Sequence, residues 1–218
     1  MIKGLIFDLD GTTLNTLEDI VRSYNLALKE FGFSEKSEDE IRMGVGQGFM
    51  MLVNNTIPKE VDAETKERLA NRYKEIYKEN YDRKTCPYNG MRELLEKLQY
   101  EGYKLAVNSN KSDIFVKSLI SKNYPEIVFT DVMGAVEGIA HKPDPQGPEI
   151  IIKEMGLNKE EVLYVGDSDI DIKTAKNTGL KSIGCLWGFR DEETLKNAGV
   201  DVLVSEPSQI LEYLKGEV

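Results

Sequence analysis

Six short runs of this chain are apolar with little alternation: Ile2–Phe7, Tyr103–Val107, Ile127–Phe129, Val162–Val165, Ser182–Cys185 and Val202–Val204. A strand with one wet face alternates apolar and polar residues, whereas a strand covered on both faces does not. These runs therefore read as buried strands of a parallel sheet. Helical spacing fills the intervals, with Met91, Leu94, Leu95 and Leu98 in one stripe and Ile150, Ile151 and Met155 in another. Alternating strand and helix predicts an α/β fold, a doubly wound, mostly parallel, Rossmann-like sheet with right-handed crossovers. At 218 residues the chain is long enough for one such domain plus a modest insertion, without a disulfide or metal staple.

The alternation breaks once. Between residues 15 and 82 only helical periodicity is found: Leu17, Ile20, Val21, Tyr24, Leu28 and Phe31 form one stripe, and Leu69, Tyr73, Ile76 and Tyr77 another. Ser37 followed by Glu40 before Ile41 is a capping-box pattern. The expected organisation is a Rossmann-like core of residues 1–14 and 83–218, with an α-helical cap of residues 15–82 inserted after the first strand.

Composition excludes several function classes. The chain holds 28 Lys and Arg against 38 Asp and Glu, a net charge of −10, which repels nucleic acid and anionic membranes. No apolar run approaches the length of a membrane span. Acidic Asp8 interrupts the N-terminal apolar run before a signal peptide can build, and Cys86 and Cys185 lie in no metal spacing. Two free thiols suit a reducing cytoplasm, the expected location. With one histidine, His141, the chain cannot supply a two-histidine zinc motif, and no GxSxG elbow accompanies it for a serine triad.

Four polar motifs close four of the expected strands in chain order. Asp8-Leu9-Asp10-Gly11-Thr12 follows the first, Asn108-Ser109-Asn110-Lys111 the second, His141-Lys142-Pro143-Asp144-Pro145 the third, and Gly166-Asp167-Ser168-Asp169-Ile170-Asp171 the next. Neither acidic motif is an EF-hand, since Thr13 and Ile172 stand where that loop needs glycine. In a parallel sheet all four motifs meet at the carboxyl rim, where α/β proteins bind ligands. Paired carboxylates suit Mg²⁺, and a hydroxyl, a lysine and backbone amides suit phosphate. The inventory fits phosphoryl transfer, where positioning and charge neutralisation do most of the catalysis. A receiver-type phospho-acceptor module shares the Asp, hydroxyl and Lys. It has no use for a second acid at Asp10 or for a cap.

DLDGT at 8–12, NSNK at 108–111, HKPDP at 141–145 and VGDSDID at 165–171 together resemble the four motifs of the haloacid dehalogenase superfamily, in the order and spacing of its phosphatase branch. The resemblance covers essentially the whole chain, and the insertion corresponds to that family's C1 cap. Val45-Gly46-Gln47-Gly48 and Pro87-Tyr88-Asn89-Gly90 resemble phosphoglycolate phosphatases. The resemblance implies Asp8 as a nucleophile phosphorylated on its carboxylate and Asp10 as general acid and base. It implies Mg²⁺ held by Asp8, the Asp10 carbonyl and Asp167, supported by Asp171. Ser109 and Lys142 would hold the phosphoryl oxygens, helped by amides near Gly11 and Asn110, while Gly46, Gln47 and Gly48 would contact substrate from the cap. Arg42 is a candidate cation for a substrate carboxylate. Departures are few: Asn15 stands where many relatives carry an acid, and Asn108 is more polar than expected before Ser109. The expected partner is a small phosphomonoester, with 2-phosphoglycolate foremost, and the expected assembly is a monomer or homodimer. Sugar-phosphate mutase, nucleotidase and pyrophosphatase activities of the same superfamily are the alternatives. The mutase reading is weakened by Gly46-Gln47-Gly48-Phe49, where such enzymes carry an arginine.

Overall fold

The computed structural model describes residues 1–216. Its elements run β1 (Gly4–Phe7), β2 (Leu14–Asn15), α1 (Leu17–Glu30), α2 (Glu38–Gly44), α3 (Phe49–Thr56), α4 (Ala63–Asn80) and β3 (Cys86–Pro87). They continue as α5 (Met91–Tyr100), β4 (Lys104–Ser112), α6 (Asp113–Asn123), β5 (Phe129–Ala135), α7 (Gln146–Met155) and β6 (Val162–Gly166). The chain then forms α8 (Asp169–Thr178), β7 (Lys181–Cys185), α9 (Glu192–Ala198), β8 (Val202–Val204) and α10 (Ser208–Lys215). Two compact units result: Met1–Leu14 with Pro87–Val218, and Asn15–Cys86. Among the described residues no helix is long and apolar enough to cross a membrane.

The first unit is an α/β sandwich around a six-stranded sheet of order β5-β4-β1-β6-β7-β8, every pair parallel. Strands β1 and β6 are buried along their whole length, which is why they lack alternation. Ile6, Ala106 and Tyr164 pack with Ile151 and Met155 of α7 in one core cluster. The order in the sheet reverses at β1 and β6. That topological switch point opens a crevice beyond the strand ends, and Asp8 and Asp167 stand on its two sides.

Two strands depart from the expected bounds. The run Ile127–Phe129 is only the entry to β5. Ile127 closes a turn, its N–H donating to the Tyr124 carbonyl at 3.1 Å, and the strand goes on through polar Thr130 and Asp131. β5 is an edge strand, so one flank is open to water and polar residues are tolerated. Strand β4 runs past Val107 to Ser112, because Asn108 is held inside the sheet. The buried Tyr164 hydroxyl reaches the Asn108 carbonyl at 3.2 Å and its side-chain oxygen at 3.0 Å. That bond accounts for a polar residue at a core position.

Pairing of β4 with β5 then skips from Asn108↔Met133 to Ser112↔Ala135. Residues 109–111 face the single residue Gly134, so the backbone bulges and turns those side chains out of the ladder. Gly134 is required there: a Cβ would lie 2.4 Å from Asp113 Cα and 2.6 Å from the Lys111 carbonyl oxygen.

The second unit is helical. Tyr24, Phe49, Tyr73 and Tyr77 stack edge to face in its interior. Ser37 and Glu40 form the capping box of α2. Buried Asp19 of α1 accepts from the Lys84 N–H at 2.9 Å, the Thr85 N–H at 2.8 Å and the Thr85 hydroxyl at 2.9 Å. Those bonds tie residues 84–85 to α1. The chain segments entering and leaving the helical unit, β2 and β3, pair as a two-stranded ribbon.

Gly134→Ala tests the bulge. Its methyl group meets backbone that cannot yield, so the variant should lose about 3 kcal/mol, the upper end of overpacking costs. Chemical denaturation measures it, and a loss under about 0.5 kcal/mol would show that the bulge does not constrain residue 134.

Candidate active site

Asp8 continues the line of β1, its N–H donating to the Val165 carbonyl at 2.9 Å. The chain then folds tightly: the Leu9 carbonyl accepts from the N–H groups of Thr12, Thr13 and Leu14 at 3.3, 3.1 and 3.0 Å. Gly11 makes this turn possible, with φ at 87° and no room for a Cβ, which would lie 2.3 Å from Asp167 Oδ2.

Asp167 and Asp171 arrive from β6 and α8. The Thr12 hydroxyl donates to Asp167 Oδ1 at 2.8 Å and the Phe189 N–H to Oδ2 at 2.7 Å. The loop after β7 presses close enough to make that second bond because residue 188 is glycine; a Cβ there would lie 2.2 Å from the Asp167 side chain. Trp187 anchors the same loop by donating its Nε1–H to the Thr12 carbonyl at 3.0 Å. Asp171 completes the capping box of α8 with Ser168, whose hydroxyl donates to Asp171 Oδ2 at 2.6 Å. Its other oxygen, Oδ1, lies 2.6 Å from Lys142 Nζ.

Lys142 is therefore the centre of the cluster. Its ammonium also lies 2.8 Å from Asp8 Oδ1, as an ion pair without the alignment of a hydrogen bond. Only 4% of the lysine side chain is exposed, and none of Asp171. The Asn110 side chain fixes the loop that carries Lys142. Its Oδ1 accepts the Lys142 N–H at 2.8 Å and its Nδ2–H donates to the Lys142 carbonyl at 3.1 Å. Asn110 thus acts here through its amide side chain, a contact that sequence reading did not foresee.

Oxygens of Asp8, Asp167 and Asp171 lie within 4.8 Å of one another. Burial, then repulsion from Asp171, raises the Asp8 carboxyl to about 7 against the pull of Lys142. Burial, Asp171 and Asp8 raise Asp167 to about 8. Burial alone would lower the Lys142 ammonium, but Asp171 and Asp8 outweigh it and hold the group well above its ordinary value. Three carboxylates face one ammonium, so when all are ionised the cluster has a deficit of two positive charges. A divalent cation with a preference for hard oxygen ligands fits that deficit and that donor set.

Asp10 lies apart from this cluster in its pairing. Its two oxygens are 2.8 and 3.1 Å from Lys111 Nζ, in the bulged part of β4. In the sequence Lys111 is only the last residue of NSNK, and nothing local marks Asp10 as its partner. Buried Ser109 accepts from the Lys111 N–H at 3.3 Å. Asp8, Asp10, Gly11, Ser109, Asn110, Lys142, Asp167 and Asp171 all belong to the α/β unit. Gly46, Gln47 and Gly48 lie in the helical unit, in the connection from α2 to α3, where Gly46 and Gly48 take φ values of 121° and 84°. Arg42 is engaged by Glu38 and Asp39 of its own helix.

Residues 5–185 match the family model of haloacid dehalogenase-like hydrolases. The phosphoglycolate phosphatase of Vibrio cholerae serotype O1 is 30% identical over 219 residues, covering 98% of this chain and 97% of that protein. That of Aquifex aeolicus is 28% identical, covering 100% and 99%. Among solved structures, a protein of Lactobacillus delbrueckii subsp. bulgaricus provisionally assigned as a phosphoglycolate phosphatase superposes with a TM-score of 0.92. It is 29% identical, covering 97% of this chain and 98% of that one. With the matched residues spanning β1 to β7 and every polar motif between, the chain belongs to the haloacid dehalogenase-like hydrolase family, and within it to the phosphatases.

Proposed function

We propose that this phosphatase is an Mg²⁺-dependent phosphomonoesterase that works through a phosphorylated Asp8, with 2-phosphoglycolate as substrate. The observation that carries the mechanism is the separation of two neighbouring acids. Asp8 faces Lys142 inside the three-carboxylate cluster, while Asp10 faces Lys111 outside it. Two carboxylates in different surroundings can take different roles.

In this reading an Asp8 oxygen attacks phosphorus, and Asp10 gives a proton to the departing alkoxide. Asp10 then takes a proton from the water that attacks the aspartyl phosphate, which returns Asp8 to a carboxylate and releases phosphate. Lys142 and Ser109 hold phosphoryl oxygens, together with the amides near Gly11 and Asn110. Asp8, Asp167 and the Asp10 carbonyl would hold Mg²⁺, supported by Asp171. The ion supplies positive charge that lets an anionic nucleophile approach an anionic phosphate. Lys142 contributes to the same end by sitting on the attacking carboxylate. The substrate reading is supported by relatives that match over nearly their full length and are named for phosphoglycolate. The cap residues Gly46, Gln47 and Gly48 are proposed contacts for the leaving group.

Turnover of p-nitrophenyl phosphate with Mg²⁺ tests the reaction, since a phosphatase cycles and a phospho-acceptor module stops at one equivalent. For the substrate, kcat/KM for 2-phosphoglycolate should exceed that for nucleoside monophosphates, sugar phosphates and pyrophosphate. A tenfold preference for any of those would overturn 2-phosphoglycolate. Asp8→Asn should cut kcat by about a thousandfold or more, as loss of a nucleophile does; a tenth of wild-type activity remaining would remove Asp8 from that role.

The raised carboxyls also predict how stability changes with pH. Asp8 and Asp167 titrate near 7 and 8 when folded, above their unfolded values. The folded protein therefore binds more protons than the unfolded chain between about pH 4 and pH 8, and stability falls as pH rises through that window. In EDTA the melting temperature should drop from about pH 5 to about pH 8, and Asp167→Asn should flatten the drop. Mg²⁺ should raise it more at the upper end. An equal Mg²⁺ effect at both ends would mean that the cluster does not bind the ion as proposed.

A further inference from the structure

Two buried lysines stand at this site, and each pairs with different acids. Lys142 pairs with Asp8 and Asp171, and Lys111 pairs with both oxygens of Asp10. The Lys111 and Asp10 side chains are 6% and 13% exposed. We propose that Lys111 recognises a second anionic group on the leaving side of the ester, sharing its ammonium between Asp10 and that group. The proposal rests on the reading of Asp10 as the acid that protonates the leaving oxygen.

The argument is one of position. A general acid must come within about 2.6–3.2 Å of the oxygen it protonates. Lys111 Nζ lies 2.8 and 3.1 Å from the two Asp10 oxygens, so an ester oxygen within reach of Asp10 brings the atoms that follow it into the neighbourhood of Lys111. A carboxylate one carbon beyond that oxygen is within reach, whereas Lys142 lies on the phosphoryl side with the nucleophile. Lys111 is also held in place. Its N–H donates to Ser109 Oγ at 3.3 Å, and its carbonyl lies against Gly134 in the bulge.

Energetics give this position selectivity. An ammonium this buried is costly to leave unpaired, so exchanging one anion for another is tolerated while putting a neutral group there is not. A neutral leaving group that draws on Asp10 offers the buried ammonium no charge in return, and an anionic one does. The other candidate cation, Arg42, already shares its charge with Glu38 and Asp39 on its own helix. The recognised class is therefore a small alkyl phosphate bearing a carboxylate, or another anion of similar reach, next to the ester carbon.

The test compares 2-phosphoglycolate with 2-hydroxyethyl phosphate, which is close in size but neutral on the leaving side. Wild-type enzyme should favour the glycolate ester in kcat/KM. Lys111→Met should lose about tenfold more on the glycolate ester than on the hydroxyethyl ester, chiefly through KM, and Lys111→Arg should keep most of the preference. Equal losses on the two esters would overturn the proposal and leave Lys111 with only a support role for Asp10. So would a wild-type enzyme with no preference, a result that needs no variant to fold. If wild-type enzyme hydrolysed neither ester nor p-nitrophenyl phosphate, the phosphatase mechanism itself would fall, and this proposal with it.

Discussion

A buried ammonium, Lys142, pairs with two of three mutually repelling carboxylates, Asp8 and Asp171, while the third, Asp167, lies close by, and most of the local architecture serves that arrangement. Asp8 follows β1, while Asp167 and Asp171 lie some 160 positions later at the junction of β6 and α8, and each would prefer water to the other two. The structure offsets that preference bond by bond. Thr12 and the Phe189 N–H hold Asp167, Ser168 holds Asp171, and the Asn110 amide holds the backbone of Lys142. Even so, Asp8 and Asp167 titrate high. The cluster is one charge-neutralising step short of being comfortable when ionised, and a bound divalent cation is the step that fits.

The sheet explains how such distant residues meet. With the order reversing at β1 and β6, the two strands that carry the acids are neighbours. Strand β4 flanks β1 on the other side and delivers Ser109, Asn110 and Lys111 through its bulge. An ordinary strand would have sent alternate residues of that stretch to opposite faces. The bulge instead presents three consecutive residues at the rim, and Gly134 on β5 is what gives it space.

Much of this was legible in the residue order. Buried parallel strands announce themselves by unbroken apolar runs, so β1, β6, β7 and β8 were readable almost to their ends. The edge strand β5 was not, because its open flank admits Thr130 and Asp131 and dilutes the signal. Nor was the full length of β4, since nothing local says that Asn108 will be satisfied by a tyrosine 56 positions later. The same limit applies at the site. Asp8 and Asp167 stand out because acids at strand ends have few structural uses, and Lys142 only because its motif closes a strand in the same series. Lys111 does not, because its partner Asp10 is 101 positions away and a lysine near a strand end ordinarily reads as solvated. Asn110 was read for its backbone amide, and its clamp on Lys142 appears only when two loops are folded against each other.

The overall charge gives these local lysines their weight. A chain of net charge −10 repels a phosphate dianion on average. That repulsion is screened over a Debye length of about 8 Å at physiological ionic strength, so distant surface acids count for little once substrate has entered the crevice. What remains is the balance within a few ångströms. There the acids outnumber the lysines, four carboxylates counting Asp10 against Lys142 and Lys111. A substrate bringing still more negative charge can be held only if each cation is placed where one anion arrives. Lys142 lies on Asp8, where the proposed mechanism brings the phosphoryl group, and Lys111 lies on Asp10, where that mechanism sends the leaving group. In that mechanism the separation of the two lysines is as much a part of the chemistry as the separation of the two aspartates, since one lysine between them would not reach both ends of the ester.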